Sequence, residues 1–111
     1  MWVAEAEGAP VGFVSVARSR DADAGDGVGE VVALYVDPAH QGRGMGSALL
    51  ARGVAALIAR GFTRATLWTF AGNPRSRGFY KHEGWTLEAT RRSNHDSGAA
   101  EIRYERALVS G

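Results

Sequence analysis

Strand-like apolar runs occupy Trp2–Ala6 and Val11–Ala17, and the turn-rich quartet Glu7-Gly8-Ala9-Pro10 between them predicts an antiparallel hairpin. Residues 18–29 are polar and carry Asp21, Asp23 and Asp26 among glycines, the composition of a solvated loop. Glu30–Val36 is rich in β-branched residues and closes at Asp37-Pro38, because proline cannot extend a hydrogen-bonded ladder. From Ser47 to Arg60 the period changes: Leu50, Val54, Leu57 and Ile58 share one helical face, and Gly61 ends the run. Arg64–Phe70 returns to a strand, so strand, helix and strand make a crossover whose flanking strands are parallel. Asn73-Pro74 opens a second helix running from Arg75 to Glu83 and stopped by Gly84, with His82 placed to complement its C-terminus. Thr86–Arg92 and Glu101–Ala107, joined by the polar segment 93–100 that carries His95, predict a terminal hairpin. The order is β-β-β-α-β-α-β-β.

Length and composition narrow the possibilities. The 111 residues, 45% of them hydrophobic, suit one core, and with no repeat or linker in the chain one domain is expected over residues 1–111. A net charge of +1 supplies no general attraction to nucleic acid or anionic membrane, so no nucleic-acid or membrane partner is expected. The chain has no cysteine and only three scattered histidines, which removes thiol nucleophiles and the common zinc sites. The aspartates of segment 18–29 lack the terminal glutamate of a twelve-residue calcium loop, so no metal is expected. The chain starts with neither a basic segment nor an apolar signal core, and a soluble, cytoplasmic protein is expected.

Between the third strand and the first helix lies Gln41-Gly42-Arg43-Gly44-Met45-Gly46. A glycine-rich turn entering a helix leaves unpaired N–H groups at the positive end of the helix dipole, and a phosphate suits it. A Walker loop requires Lys-Ser or Lys-Thr after the last glycine, but Ser47-Ala48 follows Gly46. A dinucleotide fingerprint requires its third glycine one position later and an acid near the end of the next strand, which here reads Trp68-Thr69-Phe70. The pattern present is Gln-x-x-Gly-x-Gly, followed downstream by Asn73-Pro74-Arg75-Ser76 and Phe79-Tyr80. In this combination the chain, from about Trp2 to Leu108, resembles the GCN5-related N-acetyltransferase (GNAT) family.

The resemblance implies a GNAT-like α/β (α+β) fold with a mixed, mostly antiparallel sheet that splays beside the central crossover, where acetyl-CoA enters as cosubstrate. It implies that Gln41, Gly42, Arg43, Gly44, Met45, Gly46 and Ser47 hold the pyrophosphate, and that Leu34, Tyr35 and Val36 bind the pantetheine arm like an added strand. Asn73, with Ser76, would contact the pantetheine, and Tyr80 would sit near the sulfur. Catalysis is expected to use Glu30 as base and Tyr80 as acid. A primary amine arrives protonated and must lose a proton before attacking the thioester, and the departing thiolate needs one. Trp68, Phe70 and Trp85 are expected in the core or the cleft wall. The family usually has a strand and helices ahead of the hairpin that starts here at Trp2, so a shortened member or a fragment is expected. An apolar sheet face is therefore expected to lie open, to be buried by a second copy in a homodimer. The alternative is a non-catalytic acyl-CoA-binding or regulatory module that has lost its acceptor site. The amine acceptor itself is not encoded in these motifs.

Overall fold

Helix α1 (Met45–Ala59) buries Leu49, Leu50, Val54 and Leu57 against the sheet, the stripe expected from the 3.6-residue period with Leu49 added and Ile58 only half-buried. Leu50 and Leu57 are 2% and 0% exposed, and burial of each contributes about 2 kcal/mol. In the computed structural model, which describes residues 1–108, the strands are β1 (Trp2–Ala6), β2 (Ala9–Arg18), β3 (Val28–Val36), β4 (Arg64–Phe70), β5 (Thr86–Ser93) and β6 (Ala100–Ala107), and the second helix is α2 (Pro74–His82). This is the element order read from the sequence, with a single 3-10 turn, Pro38–His40, added after β3. Helix α1 begins at Met45, two residues before the expected start, because Gly44 takes a left-handed φ of 79° and serves as its N-cap. No helix among the described residues is long and apolar enough to cross a membrane.

The six strands form one sheet in the order β1-β2-β3-β4-β6-β5. Every neighbouring pair is antiparallel except β3–β4, the parallel pair of the crossover. Residues opposite one another across the ladders share a face, so the register sorts the side chains. Val14, Val16, Val31, Leu67, Ile102 and Tyr104 lie on the face covered by α1 and α2 and form the core. Gly53 of α1 approaches this layer closely: a Cβ there would stand 3.0 Å from Val16 Cγ1 and 3.1 Å from Val14 Cγ2.

Among the described residues, the other face carries no helix. It was expected to be apolar, and only part of it is. Val3, Phe13 and Tyr35 line up across β1, β2 and β3, whereas Glu30, Thr66, Trp68, Arg103 and Glu101 occupy the middle of the sheet. Segment 19–27 is not a freely solvated loop. Asp21 accepts hydrogen bonds from Trp68 Nε1 (3.1 Å to each carboxylate oxygen) and from Arg103 Nη1 (3.1 Å), and Asp23 takes both terminal nitrogens of Arg103 at 2.8 and 2.7 Å. Arg103, 6% exposed, also meets Glu88, and Arg92 stacks over Trp68 at 4.1 Å.

Candidate active site

Two irregularities in β3 create the site. The first is a bulge: Ser15 pairs with Ala33 while the adjacent Val16 pairs with Val31, so Val32 is an extra residue. Without it, Val31, Ala33 and Tyr35 would share a face. With it, Val31, Leu34 and Val36 all face the helices, and Tyr35 turns to the open face beside Phe13, ring centroids 6.0 Å apart. The second is a splay. β3 pairs with β4 only from Val28↔Arg64 to Val31↔Leu67, although β3 continues to Val36 and β4 to Phe70. The strands separate beyond Val31, which leaves the β4-facing backbone of Leu34–Val36 without a ladder partner.

Backbone alternation fixes which groups point into that gap. Asp37 N–H donates to Val11 C=O (2.7 Å) on the β2 side, so the N–H and C=O of Val36 point away from β2, into the splay. Gln41 Nε2 donates to Val36 C=O (3.1 Å), which secures the strand end and leaves the Val36 N–H as the donor facing the gap.

A cavity of about 630 Å³ opens at the splay, lined by Leu34 and Val36 of β3, by Gln41, Gly42, Gly44, Gly46 and Ser47, and by Asn73, Arg75, Ser76, Phe79 and Tyr80. The glycine turn supplies its polar end. Gly42 and Gly44 have φ of 81° and 79°, a region costly for other residues, and they turn the chain into α1. The first bond of the helix ladder runs from Ala48 N–H to Gly44 C=O (3.0 Å), and no side chain caps the helix. The N–H groups of Met45, Gly46 and Ser47 therefore precede the ladder and remain available to an anion. Gly46 lies between the two walls: a Cβ there would stand 3.5 Å from Phe79 Cζ and 3.8 Å from Val36 Cγ2, filling the space between β3 and α2.

Helix α2 forms the opposite wall. Asn73 Oδ1 caps it by accepting from Ser76 N–H (3.2 Å), which leaves the Asn73 amide nitrogen for other partners. The Ser76 hydroxyl is bonded to Thr69 Oγ1 (2.7 Å), and Arg77 ties the helix to the sheet through the Tyr104 hydroxyl (3.1 Å) and the Ala71 carbonyl (3.0 Å). Tyr80 packs among Phe79, Trp85 and Tyr104, with ring centroids 5.2, 6.5 and 6.4 Å away, and burial pushes its hydroxyl above the usual tyrosine range.

Glu30 is on the other side of the sheet. It sits one residue before the end of the β3–β4 ladder, opposite Thr66, on the helix-free face. It is 8% exposed, and burial first, then the nearby charge of Asp21, hold its carboxyl above the usual carboxylate range. The splay thus has Tyr80 and, at its open end, the glycine turn on one face of the sheet, and Glu30 on the other, beside its apex.

Of the residues proposed from sequence, Leu34, Val36, Gln41, Gly42, Gly44, Gly46, Ser47, Asn73, Ser76 and Tyr80 line the cavity. Tyr35, Arg43 and Met45 do not: the bulge turns Tyr35 away, Arg43 is exposed, and the Met45 side chain packs against the core, leaving only its backbone N–H toward the site. Arg75 and Phe79 line the cavity but were not assigned to it from the sequence, although both fall inside the motif that was recognised. Trp85 is in the core at 3% exposure; Phe70, expected in the core or the cleft wall, is 43% exposed on the helix-free face.

The sequence profile of the Acetyltransferase (GNAT) family matches residues 1–85. A mycothiol acetyltransferase of Beutenbergia cavernae is 47% identical over 58 residues, 52% of this chain and 20% of that protein. Another, of Thermobispora bispora, is 35% identical over 86 residues, and the chain spans 29% of its length. Among solved structures, an N-acetyltransferase from Staphylococcus aureus Mu50 superposes with a TM-score of 0.81 at 24% identity, over 96% of this chain and 66% of that one. PaiA N-acetyltransferase from Thermoplasma acidophilum, solved in complex with coenzyme A, gives 0.73 at 20% identity, over 95% of this chain and 58% of that one. These last two are likenesses of fold. Together with the mixed sheet and its single parallel pair, the profile match establishes that the chain belongs to the acetyltransferase (GNAT) family.

Proposed function

We propose that residues 1–111 form one acetyltransferase domain that moves an acetyl group from acetyl-CoA to a primary amine by direct attack. The observation that carries this reading is the cavity at the splay, lined together by the uncapped start of α1, by Val36 and by Tyr80. The pyrophosphate of acetyl-CoA is assigned to the N–H groups of Met45, Gly46 and Ser47, with Arg75 at the rim supplying charge. The pantetheine arm is assigned to the splay, against Leu34 and Val36, where it replaces the missing ladder, and the free amide nitrogen of Asn73 donates to it.

In this arrangement the acceptor approaches from the helix-free face. Glu30 takes a proton from the ammonium, and the amine nitrogen then attacks the thioester carbon. The Val36 N–H stabilises the oxyanion, an interaction typically worth about 3 kcal/mol. The C–S bond breaks, Tyr80 protonates the leaving thiolate, and the second proton of the attacking nitrogen leaves to solvent as the amide forms, while the Tyr80 phenolate takes up a proton from solvent. Tyr80 is neutral and able to donate a proton at physiological pH, as an unshifted tyrosine would be, and the raised proton affinity of Glu30 brings it closer to that of a useful base. No covalent enzyme intermediate is needed.

Thiol release from acetyl-CoA over a panel of primary amines, followed for the native chain and for Tyr80→Phe and Glu30→Gln, tests the assignment. Rates lowered about 10²-fold or more in both variants are expected for general acid and base groups. Unchanged rates in both would remove these roles. Binding of acetyl-CoA with no thiol release on any amine would favour the non-catalytic acyl-CoA module.

A further inference from the structure

The segment between β2 and β3 crosses the helix-free face. It leaves β2 at Arg18, and by Asp21 it has passed over β3 to reach Trp68 on β4 and Arg103 on β6. Ser19, at its start, joins the backbone of this segment to the carboxylate below it: the Ser19 hydroxyl donates to Glu30 Oε1 (3.5 Å) and accepts from the Asp21 main-chain N–H (3.2 Å).

The two carboxylates are unequally supplied with donors. Asp21 has the Trp68 indole N–H at 3.1 Å, Arg103 at 3.1 Å and Arg92 at 3.7 Å. Among the described residues, Glu30 has one bonded side-chain donor, the Ser19 hydroxyl at the limit of hydrogen-bond distance, with the Arg20 main-chain N–H beside it. Bringing a second carboxylate toward a buried one costs energy, and here Arg103 compensates by gathering Asp21, Asp23 and Glu88 around one guanidinium. A pair so divided separates the proton affinities of its members, and the one short of donors is the one that takes up a proton.

We propose that segment 19–26, fastened by Arg103, is the acceptor-side cover of Glu30, and that Asp21 is a positioning residue for this base, acting through its charge, while Ser19, held by the Asp21 main-chain N–H, donates to the Glu30 carboxylate. The inference rests on the reading of Glu30 as the base. The groups around Glu30 are Ala17 on β2, Thr66 on β4, Ser19, Arg20 and Asp21 in the cover, and Arg92 from β5. Among them Asp21 is the only other carboxylate, and its charge raises the Glu30 proton affinity while those of Arg92 and Arg20 lower it.

The test is the titration of the Glu30 carboxyl by 13C NMR, its signal identified by its loss in Glu30→Gln, beside the acid limb of kcat/KM for the amine. Asp21→Asn keeps an oxygen for Trp68 and removes the charge, and it should move both curves to lower pH. Ser19→Ala removes a donor to the ionised carboxylate and should move them to higher pH. Asp23→Asn loosens the same guanidinium without touching Glu30 and should leave both in place. Curves for Asp21→Asn that overlay the native ones, or an equal shift in Asp23→Asn, would overturn the proposal. The NMR titration needs no turnover, so it stands if a variant is inactive, and Ser19→Ala keeps the test open if Asp21→Asn fails to fold. If Glu30→Gln retains the native rate and acid limb, it is the assignment of the base that fails.

Discussion

Replacing Gly53 by alanine opposes two effects of known size. In an isolated helix the change would stabilise by about 1 kcal/mol, since glycine is the poorer helix former. In this fold the added methyl would meet Val16 Cγ1 at 3.0 Å and Val14 Cγ2 at 3.1 Å. Both contacts are tighter than ordinary van der Waals separation, and both valines are buried, at 8% and 0% exposure, with β-branched side chains that have little rotamer freedom. Overpacking of this kind costs about 1–3 kcal/mol, so it equals or exceeds the helical gain, and the net expectation is a loss of about 1 kcal/mol. For a chain of this size that lowers Tm by roughly 4 °C. Because relief of the clash lifts α1 from β2, and the N-terminus of α1 forms the anion end of the cavity, acetyl-CoA affinity should fall as well. Thermal and urea unfolding of Gly53→Ala beside the native chain check this. A variant more stable than the native protein would show that the helix and the sheet are not in the close contact on which the argument depends.

Gly44→Ala must place a Cβ at a φ of 79°, a strain of about 1–2 kcal/mol, and should weaken acetyl-CoA binding, measured by calorimetry, more than it disturbs the far-UV spectrum. Arg75→Ala, at the rim of the cavity, should weaken acetyl-CoA about threefold to tenfold at low salt and less at high salt, as expected for an exposed cation facing a phosphate. Glu88 is held down to about 2 by hydrogen bonds from Arg103 and Thr90. Its folded value is depressed, so the stability it contributes is present above the ordinary glutamate range and is lost as pH falls toward 2. Glu88→Gln should flatten the acid side of a Tm-versus-pH curve, and an unaltered slope would count against the Arg103 cluster.

The elements legible in the sequence were those with local punctuation. Asp37-Pro38 ended β3, Asn73-Pro74 opened α2, and Gly61 and Gly84 followed the two helices, because proline and glycine restrict the backbone whatever the tertiary setting. The glycine turn was legible for the same reason. Its helix started earlier than expected because a left-handed Gly44 can serve as N-cap without a side chain. The bulge at Val32 had no such marker. It depends on how β3 pairs with β2, and it decided that Val36 and Leu34, but not Tyr35, face the cavity. The insertion of β6 between β4 and β5 and the fastening of Asp21 to Arg103 join residues far apart in the chain, and composition alone made that segment look like a solvated loop. Phe79 was legible as part of the motif but not as a cavity residue, since nothing local separates a core aromatic from one lining a cleft.

The central claim is that the turn at Gly42–Gly46 holds a pyrophosphate in the splay between β3 and β4. Calorimetric titration of the native chain with acetyl-CoA and, in parallel, with S-acetyl-pantetheine, which lacks the pyrophosphate, tests it most directly. One-to-one binding of acetyl-CoA, with affinity at least tenfold weaker for the truncated thioester, a difference of about 1.4 kcal/mol or more, is the predicted result. Equal affinity for the two compounds, or no binding of acetyl-CoA, would contradict it.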